Sequence, residues 1–422
     1  MFLKNNLISY LHLSLYILPA SLIIGSLVVN INLAIFLIFS IIYIYKNNLK
    51  IQFDLVNISL FLFFLTLIIS SLVNIRVIGL ENFVKSIFLL KFFLLFLFLD
   101  TLIKNNRINL EIFFKICSFT VLFVALDVLL QFVFGKNILG FSPHEGRITG
   151  IFGSEAIAGA YIQKFFIFGL IGIFLITYLK NYKININEIL FFSIVLCGSF
   201  VASNRMSFII MLFLFLFLTL FYKIFRKKLL ICLMIALPVF MVLFKTDPNI
   251  NIKFNNFKIK SLMLLEKSIS LFDEEINKNI KLTNHGKIYI SSIRSFNENK
   301  TLGGGLKSFR YQCPKFVFKD NTFCSTHPHN YHLEILHDTG IIGYFLLTFF
   351  VIALLISKYK SFKSPSLNYV DKIIFSLIIL NFLVEIFPLK STGSLFSTWT
   401  GTILWLSIAM INYDKKIINK NY

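Results

Sequence analysis

The sequence predicts an all-α polytopic membrane protein of about twelve transmembrane helices with one large loop on the outer side. Three observations carry this reading. Hydrophobic residues make up 57% of the 422 positions and charged ones only 14%, against roughly 25% charged in soluble domains. Phenylalanine alone supplies 52 residues, which suits side chains that meet lipid tails rather than water. Long apolar runs alternate with short Lys/Asn-rich connectors, and a single polar block over 246–331 interrupts them. The same distribution argues against a nucleic-acid partner, which a net charge of +21 would otherwise suggest. The basic residues punctuate apolar runs instead of lining one face of a soluble fold.

A spanning helix needs about 20 apolar residues. On that ruler the runs at 8–27, 29–45, 55–74, 83–103, 112–135, 156–179, 187–202, 206–224, 229–245, 332–357, 370–388 and 396–412 each predict a span. They divide the chain into nine spans over 1–245, an outer loop over 246–331 and three spans over 332–422. A second apolar run follows the first at once with no clear cleavage site between them. The first is therefore read as a span and not as a removable signal peptide.

Lys and Arg in short loops set the orientation. With the N-terminus in the cytoplasm, eighteen basic residues fall on inside segments. Only Arg76, Lys136, Arg147, Arg205 and Lys390 fall on short outside loops. Both termini are then expected in the cytoplasm and the 246–331 block outside. Arg147 and Arg205 break the positive-inside pattern, each beside a span, as headgroup anchors or as ligands for an anionic substrate. Their nearness to other polar motifs favours the second role.

Cys117, Cys197 and Cys232 fall inside apolar runs, where a thiol behaves as a small hydrophobe. Cys313 and Cys324 lie in the outer block, facing an oxidising compartment if the topology holds, and a short-loop disulfide is their expected state. Apolar residues at helical spacing predict two amphipathic helices in the same block, over 256–280 and 287–296. Gly303, Gly304 and Gly305 follow. They lack the spacing of a phosphate loop and read as a flexible turn that brings backbone near a partner. In mid-span, Asp127 and Lys164 are expected to pair, because buried charges within a membrane are usually partnered.

The most informative stretch is CSTHPHNYHLEILHDTGIIGYF, residues 324–345, which holds His327, His329, His332 and His337, four of the seven histidines. Pro328 and Asn330 give a turn and a helix start. His329 and His332 have the spacing of a shared helical face, but no cysteine pair and no H-E-x-x-H pattern supports a metal. Imidazole titrates near neutrality, so acid/base or substrate-orienting work by His329 is the stronger reading. His12, His144 and His285 have no companions in sequence and are given no role.

These residues resemble the O-antigen ligase/polymerase superfamily. HNYHL followed by Gly340 fits the pattern H-[NS]-x-x-L-x(6)-G. RITGIFGSEAIAGAYI at 147–162 is similar to an R-x-T-G-x-F…G-x-Y segment, and SNRMSF at 203–208 to an S-x-R-x-x element. The stretch from Ile293 to Phe309 resembles an outer helix followed by a G-x-G turn. The specific matches cover about 147–345.

The resemblance implies a GT-C-like, metal-independent glycosyltransferase without cofactors, in the bacterial inner membrane with its active site facing the periplasm. It implies transfer of a glycan from an undecaprenyl-pyrophosphate carrier to an acceptor hydroxyl such as that of lipid A core. His329 would deprotonate or orient that hydroxyl, with His327, Asn330 and Glu155 as secondary candidates. Arg147 and Arg205, with Arg294 or Arg310 as a third cation, would meet the charge on the pyrophosphate, since guanidinium suits bidentate phosphate binding. O-antigen polymerase and protein O-oligosaccharyltransferase are alternatives within the same superfamily. A multi-span transporter is a remoter one, disfavoured by the large outer block and the lack of internally repeated halves.

Overall fold

The computed structural model describes residues 2–178, 186–202, 204–246, 284–316, 324–362, 368–388 and 390–413, with isolated positions between 248 and 259. Among these residues the regular structure is helical, and the one β pairing is an isolated bridge between His144 and Arg147. The helices are α1 (Phe2–Ile24), α2 (Ser26–Lys46), α3 (Leu55–Val73), α4 (Ile75–Phe88), α5 (Leu90–Lys104), α6 (Leu110–Phe134) and α7 (Ala158–Tyr178). There follow α8 (Ile186–Val201), α9 (Arg205–Phe221), α10 (Lys223–Thr246), α11 (Asn284–Glu298), α12 (Tyr331–Phe362), α13 (Tyr369–Glu385) and α14 (Thr398–Met410).

Each of the twelve apolar runs falls on helix. Among the described residues, eight stretches are long and apolar enough to cross a membrane: Leu7–Ile24, Ser26–Lys46, Leu55–Val73, Ile75–Lys104, Leu110–Phe134, Ala158–Tyr178, Lys223–Thr246 and Tyr331–Lys360. The runs on α8, α9, α13 and α14 form shorter helices. The run at 83–103 straddles the junction of α4 and α5 at Leu89. The helix expected over 256–280 lies outside the described residues, whereas the one at 287–296 is the centre of α11. Outward faces are apolar in the way lipid requires. On α2, Ile31, Ile35, Ile38 and Ile41 are exposed at helical spacing, while Val29, Leu33, Phe36 and Tyr43 are buried.

The chain forms two compact units, Met1–Asn109 with Leu282–Tyr422, and Leu110–Lys281. In the first, α3 packs along α12, α1 against α2, and α14 against α5. Phe63, Phe64 and Phe92 surround the buried Trp405. In the second, α6 and α7 lie close enough that a side chain at Gly172 would strike the carbonyl of Phe114. The Ser118 hydroxyl crosses the same seam to the Gly169 carbonyl at 2.7 Å. Small residues at a helix crossing replace the hydrophobic driving force that lipid cannot supply. Asp127 gives its carboxylate to the Ile138 amide at 3.0 Å and to Asn137. It therefore caps the turn after α6, and the expected pairing with Lys164 is not formed.

Candidate active site

The site grows from the start of α12. Asn330 caps this helix, its Oδ1 accepting from the Leu333 amide at 3.2 Å and its carbonyl from the Glu334 amide at 2.9 Å. Just before it, His329 holds a left-handed backbone with φ +56°. That conformation is strained for a residue with a Cβ, and strain of this kind persists where neighbours over-determine it. The over-determination here comes from the loop between α13 and α14.

Residues 329–334 are fastened to that loop nearly one by one. The Thr392 amide donates to the His329 carbonyl at 2.9 Å. Asn330 Nδ2 donates to the Pro388 carbonyl at 2.5 Å, and His332 Nε2 meets the Ile386 carbonyl at 2.8 Å. The Tyr331 hydroxyl donates to Glu385 Oε1 at 2.8 Å, and Lys390 holds Glu385 Oε2 at 2.6 Å. Glu334 accepts from the Ser394 hydroxyl at 2.5 Å and the Leu395 amide at 2.7 Å. Burial pulls the Lys390 ammonium down to about 7. Sequence reasoning gave this loop no function. Its one visible signal was Lys390, a basic residue on the side where basic residues are scarce.

The His329 ring has one determined orientation. Nδ1 lies 3.4 Å from the Thr392 carbonyl, and Nε2 lies 2.8 Å from the Ser325 hydroxyl. A carbonyl only accepts, so Nδ1 carries the proton and Nε2 presents a lone pair. Burial, and after it the neighbouring His285, hold the His329 imidazole below its ordinary range, which favours the neutral ring. His285 stands edge-on to His329 with centroids 5.4 Å apart, and His327 is 4.1 Å away. His285, given no role in the sequence reading, thus belongs to the cluster, brought there by α11 from 44 positions earlier in the chain. His327 is lowered to about 4, chiefly by burial, then by His329, with Arg310 and Lys307 adding positive potential.

The described part of the polar block, residues 284–316, is anchored to the same helix. Cys313 and Cys324 form a disulfide, and Cys313 is buried against Ile288 and Phe309. His337, buried in α12, meets Asp338 Oδ1 at 3.0 Å, Ser295 at 2.7 Å and Gln312 at 3.1 Å. The three glycines are no flexible turn. The Gly304 and Gly305 amides donate to the carbonyls of His337 and Asp338, and the Leu306 amide donates to Ser71 on α3. The close backbone approach that the glycines permit is to α12, where Gly340 breaks the helix at φ +67°. Arg294 and Arg310 are exposed on this unit, on α11 and on the short helical turn Phe309–Gln312.

Arg147, Glu155 and Arg205 belong to the second unit. Arg147 is exposed on a loop whose next turn is stapled to α6, where Gln131 Oε1 accepts from the Thr149 and Gly150 amides at 2.9 and 2.8 Å. Glu155 is exposed at the end of that loop. Arg205 opens α9 after the cap Asn204 and is half-buried. The Gly159 site at the start of α7 lies against Asn204 and Ala202, the residues that lead into Arg205. Among the described residues neither guanidinium has an ion-pair partner.

Residues 189–348 match the family described as O-antigen ligase, a stretch that runs from α8 into α12 and includes Arg205, Arg294, Arg310, His327 and His329. No curated protein matches the chain.

Proposed function

We propose, from the match of residues 189–348 to the family described as O-antigen ligase, that the chain is an O-antigen ligase-like glycosyltransferase. It moves a glycan from undecaprenyl pyrophosphate to an acceptor hydroxyl, that of lipid A core, on the periplasmic face of the inner membrane. The observation that carries this reading is the His329 imidazole: neutral, with Nδ1 protonated against Thr392 and the Nε2 lone pair facing a hydroxyl at 2.8 Å. That is the arrangement a general base needs to activate an alcohol, an effect worth typically 10²–10⁴ in rate.

In the reaction, the acceptor oxygen attacks the anomeric carbon as its proton leaves toward His329. The bond from that carbon to the diphosphate oxygen breaks, and the diphosphate departs with the electron pair. Arg147 and Arg205, the cations singled out by the sequence pattern, have the chemistry to meet that charge, since guanidinium binds phosphate oxygens with two parallel hydrogen bonds. The outer location is supported by the scarcity of Lys and Arg on the short loops of that side and by the Cys313–Cys324 bond, which an oxidising compartment favours. The test is transfer by the purified protein from a defined lipid-linked glycan to lipid A core, to a second glycan repeat or to a protein. Lipid A core is the expected acceptor. Product only with a second repeat, or only with protein, would replace the ligase reading by polymerase or protein O-oligosaccharyltransferase.

A further inference from the structure

His329 Nε2 is already occupied. Ser325 places its hydroxyl 2.8 Å away, and with Nδ1 committed to the Thr392 carbonyl that hydroxyl must donate to Nε2. An incoming alcohol can then lose its proton to the base in two ways, by displacing Ser325 or by passing the proton through it. Displacement is opposed by the covalent structure. Ser325 follows Cys324, and Cys324 is bonded to Cys313, which is fully buried with Ile288 and Phe309. On the other side, His329 is pinned through its carbonyl to the Thr392 amide at 2.9 Å. Both ends of the five-residue stretch Ser325–His329 are therefore fixed, which keeps the Ser325 Cβ beside the ring, and the hydroxyl leaves Nε2 only by a χ1 rotation that gives up its hydrogen bond to the imidazole.

We propose that Ser325 is a proton-relay residue, standing between the acceptor hydroxyl and His329; this rests on the glycosyltransferase reading above. As the acceptor oxygen bonds to the anomeric carbon, its proton passes to Ser325 Oγ while the Ser325 proton passes to His329 Nε2. The diphosphate takes the electron pair of the bond that breaks, and the imidazolium returns its proton to solvent after the products leave. Serine ends each cycle as it began, and no covalent serine species forms.

The test is steady-state transfer by the full-length protein in nanodiscs with a defined undecaprenyl-pyrophosphate glycan, using wild type, Ser325→Ala, Ser325→Thr and His329→Ala. The relay gives a fall in kcat of about 100-fold in Ser325→Ala, with KM for the donor unchanged and with substantial recovery in Ser325→Thr. In mixtures of light and heavy water, wild type gives a curved proton inventory from two protons in flight, and the residual rate of Ser325→Ala gives a linear one. Wild-type kcat in Ser325→Ala, a linear wild-type inventory, or a trapped glycosyl-serine would each overturn the relay. Those results with His329→Ala inactive would leave the transferase reading intact. No transfer by wild type to any acceptor would sink that reading itself. Circular dichroism and detergent-solubilised yield of each variant separate a loss of rate from a loss of fold.

Discussion

Gly303 and Gly340 meet backbone to backbone. A Cβ on Gly303 would lie 2.5 Å from the Gly340 amide nitrogen, and one on Gly340 would lie 2.6 Å from the Gly303 nitrogen. Both residues have positive φ, +74° and +67°. The outer block is thus locked into the break in α12, with His337 and Asp338 bonded around the contact. Gly303→Ala adds backbone strain to a clash that rigid main chain cannot relieve. It is expected to destabilise the protein by roughly 2–4 kcal/mol. A lowered thermal midpoint in detergent checks this, and an unchanged midpoint would refute the lock.

The state of His329 sets the acid limb of the pH–rate profile. Its folded value lies below the ordinary 6.5, so the basic form survives into mildly acidic solution. Transfer is expected to fall with an apparent pKa under 6.5. An acid limb centred above 6.5 would contradict the buried neutral base. Stability follows the same sign at His327, which is lowered from 6.5 to about 4. Between those values the unfolded chain binds the proton and the folded one does not. The contribution of His327 is therefore complete above 6.5 and lost progressively toward pH 4, which thermal melts across that range can follow.

Lys390 and Glu385 are both buried and joined at 2.6 Å, with Tyr331 on the second carboxylate oxygen. Lys390→Met leaves a carboxylate without its cation and is expected to cost about 3–5 kcal/mol. Adding Glu385→Gln removes that stranded charge, and much of the loss should return. A double-mutant cycle on thermal midpoints measures the coupling; strict additivity would mean that the pair does not act as a unit.

Removing the Cys313–Cys324 bond by double serine substitution releases the segment that carries Ser325. Closing a loop with a sequence separation of 11 is worth about 3 kcal/mol. Stability is expected to fall by that order, and transfer to fall further than stability alone explains, because the hydroxyl beside His329 loses its tether. Reductant applied to wild type should reproduce the effect; activity indifferent to reductant would show that the tether is not needed.

Arg205→Ala and Arg147→Ala are each expected to lower kcat by about 10²–10³, the scale of losing one group that stabilises a leaving charge. Arg205→Lys should recover only part, since ammonium cannot bind phosphate with two parallel bonds. Wild-type turnover in the double alanine variant would remove both from the donor site.

The twelve apolar runs were legible because period and length in lipid leave few alternatives, and each falls on helix. The break at Leu89 was not expected, because the run from 83 to 103 reads as one apolar span despite Lys85, Ser86 and Lys91 around the break. Asp127 was misread because mid-span position suggested a charged partner, whereas the chain folds a turn back so that the Ile138 main-chain amide and the Asn137 side-chain amide donate to the carboxylate. The glycine triplet showed that backbone approaches something closely, but not that the something is α12. His285 and the 386–397 loop were out of reach for a common reason. Their connection to His329 runs through a bridge of tertiary contacts, and nothing in their local spacing differs from an ordinary loop or a lone histidine.

The fastening of residues 329–334 to the connection before α14 makes that connection part of the setting of the proposed base, although none of its groups need touch a sugar. Exchanging that terminal hairpin between relatives would retune the imidazole by altering the carbonyl it leans on. A shortened protein ending after α12 would keep every motif residue and lose the setting in which the histidine works.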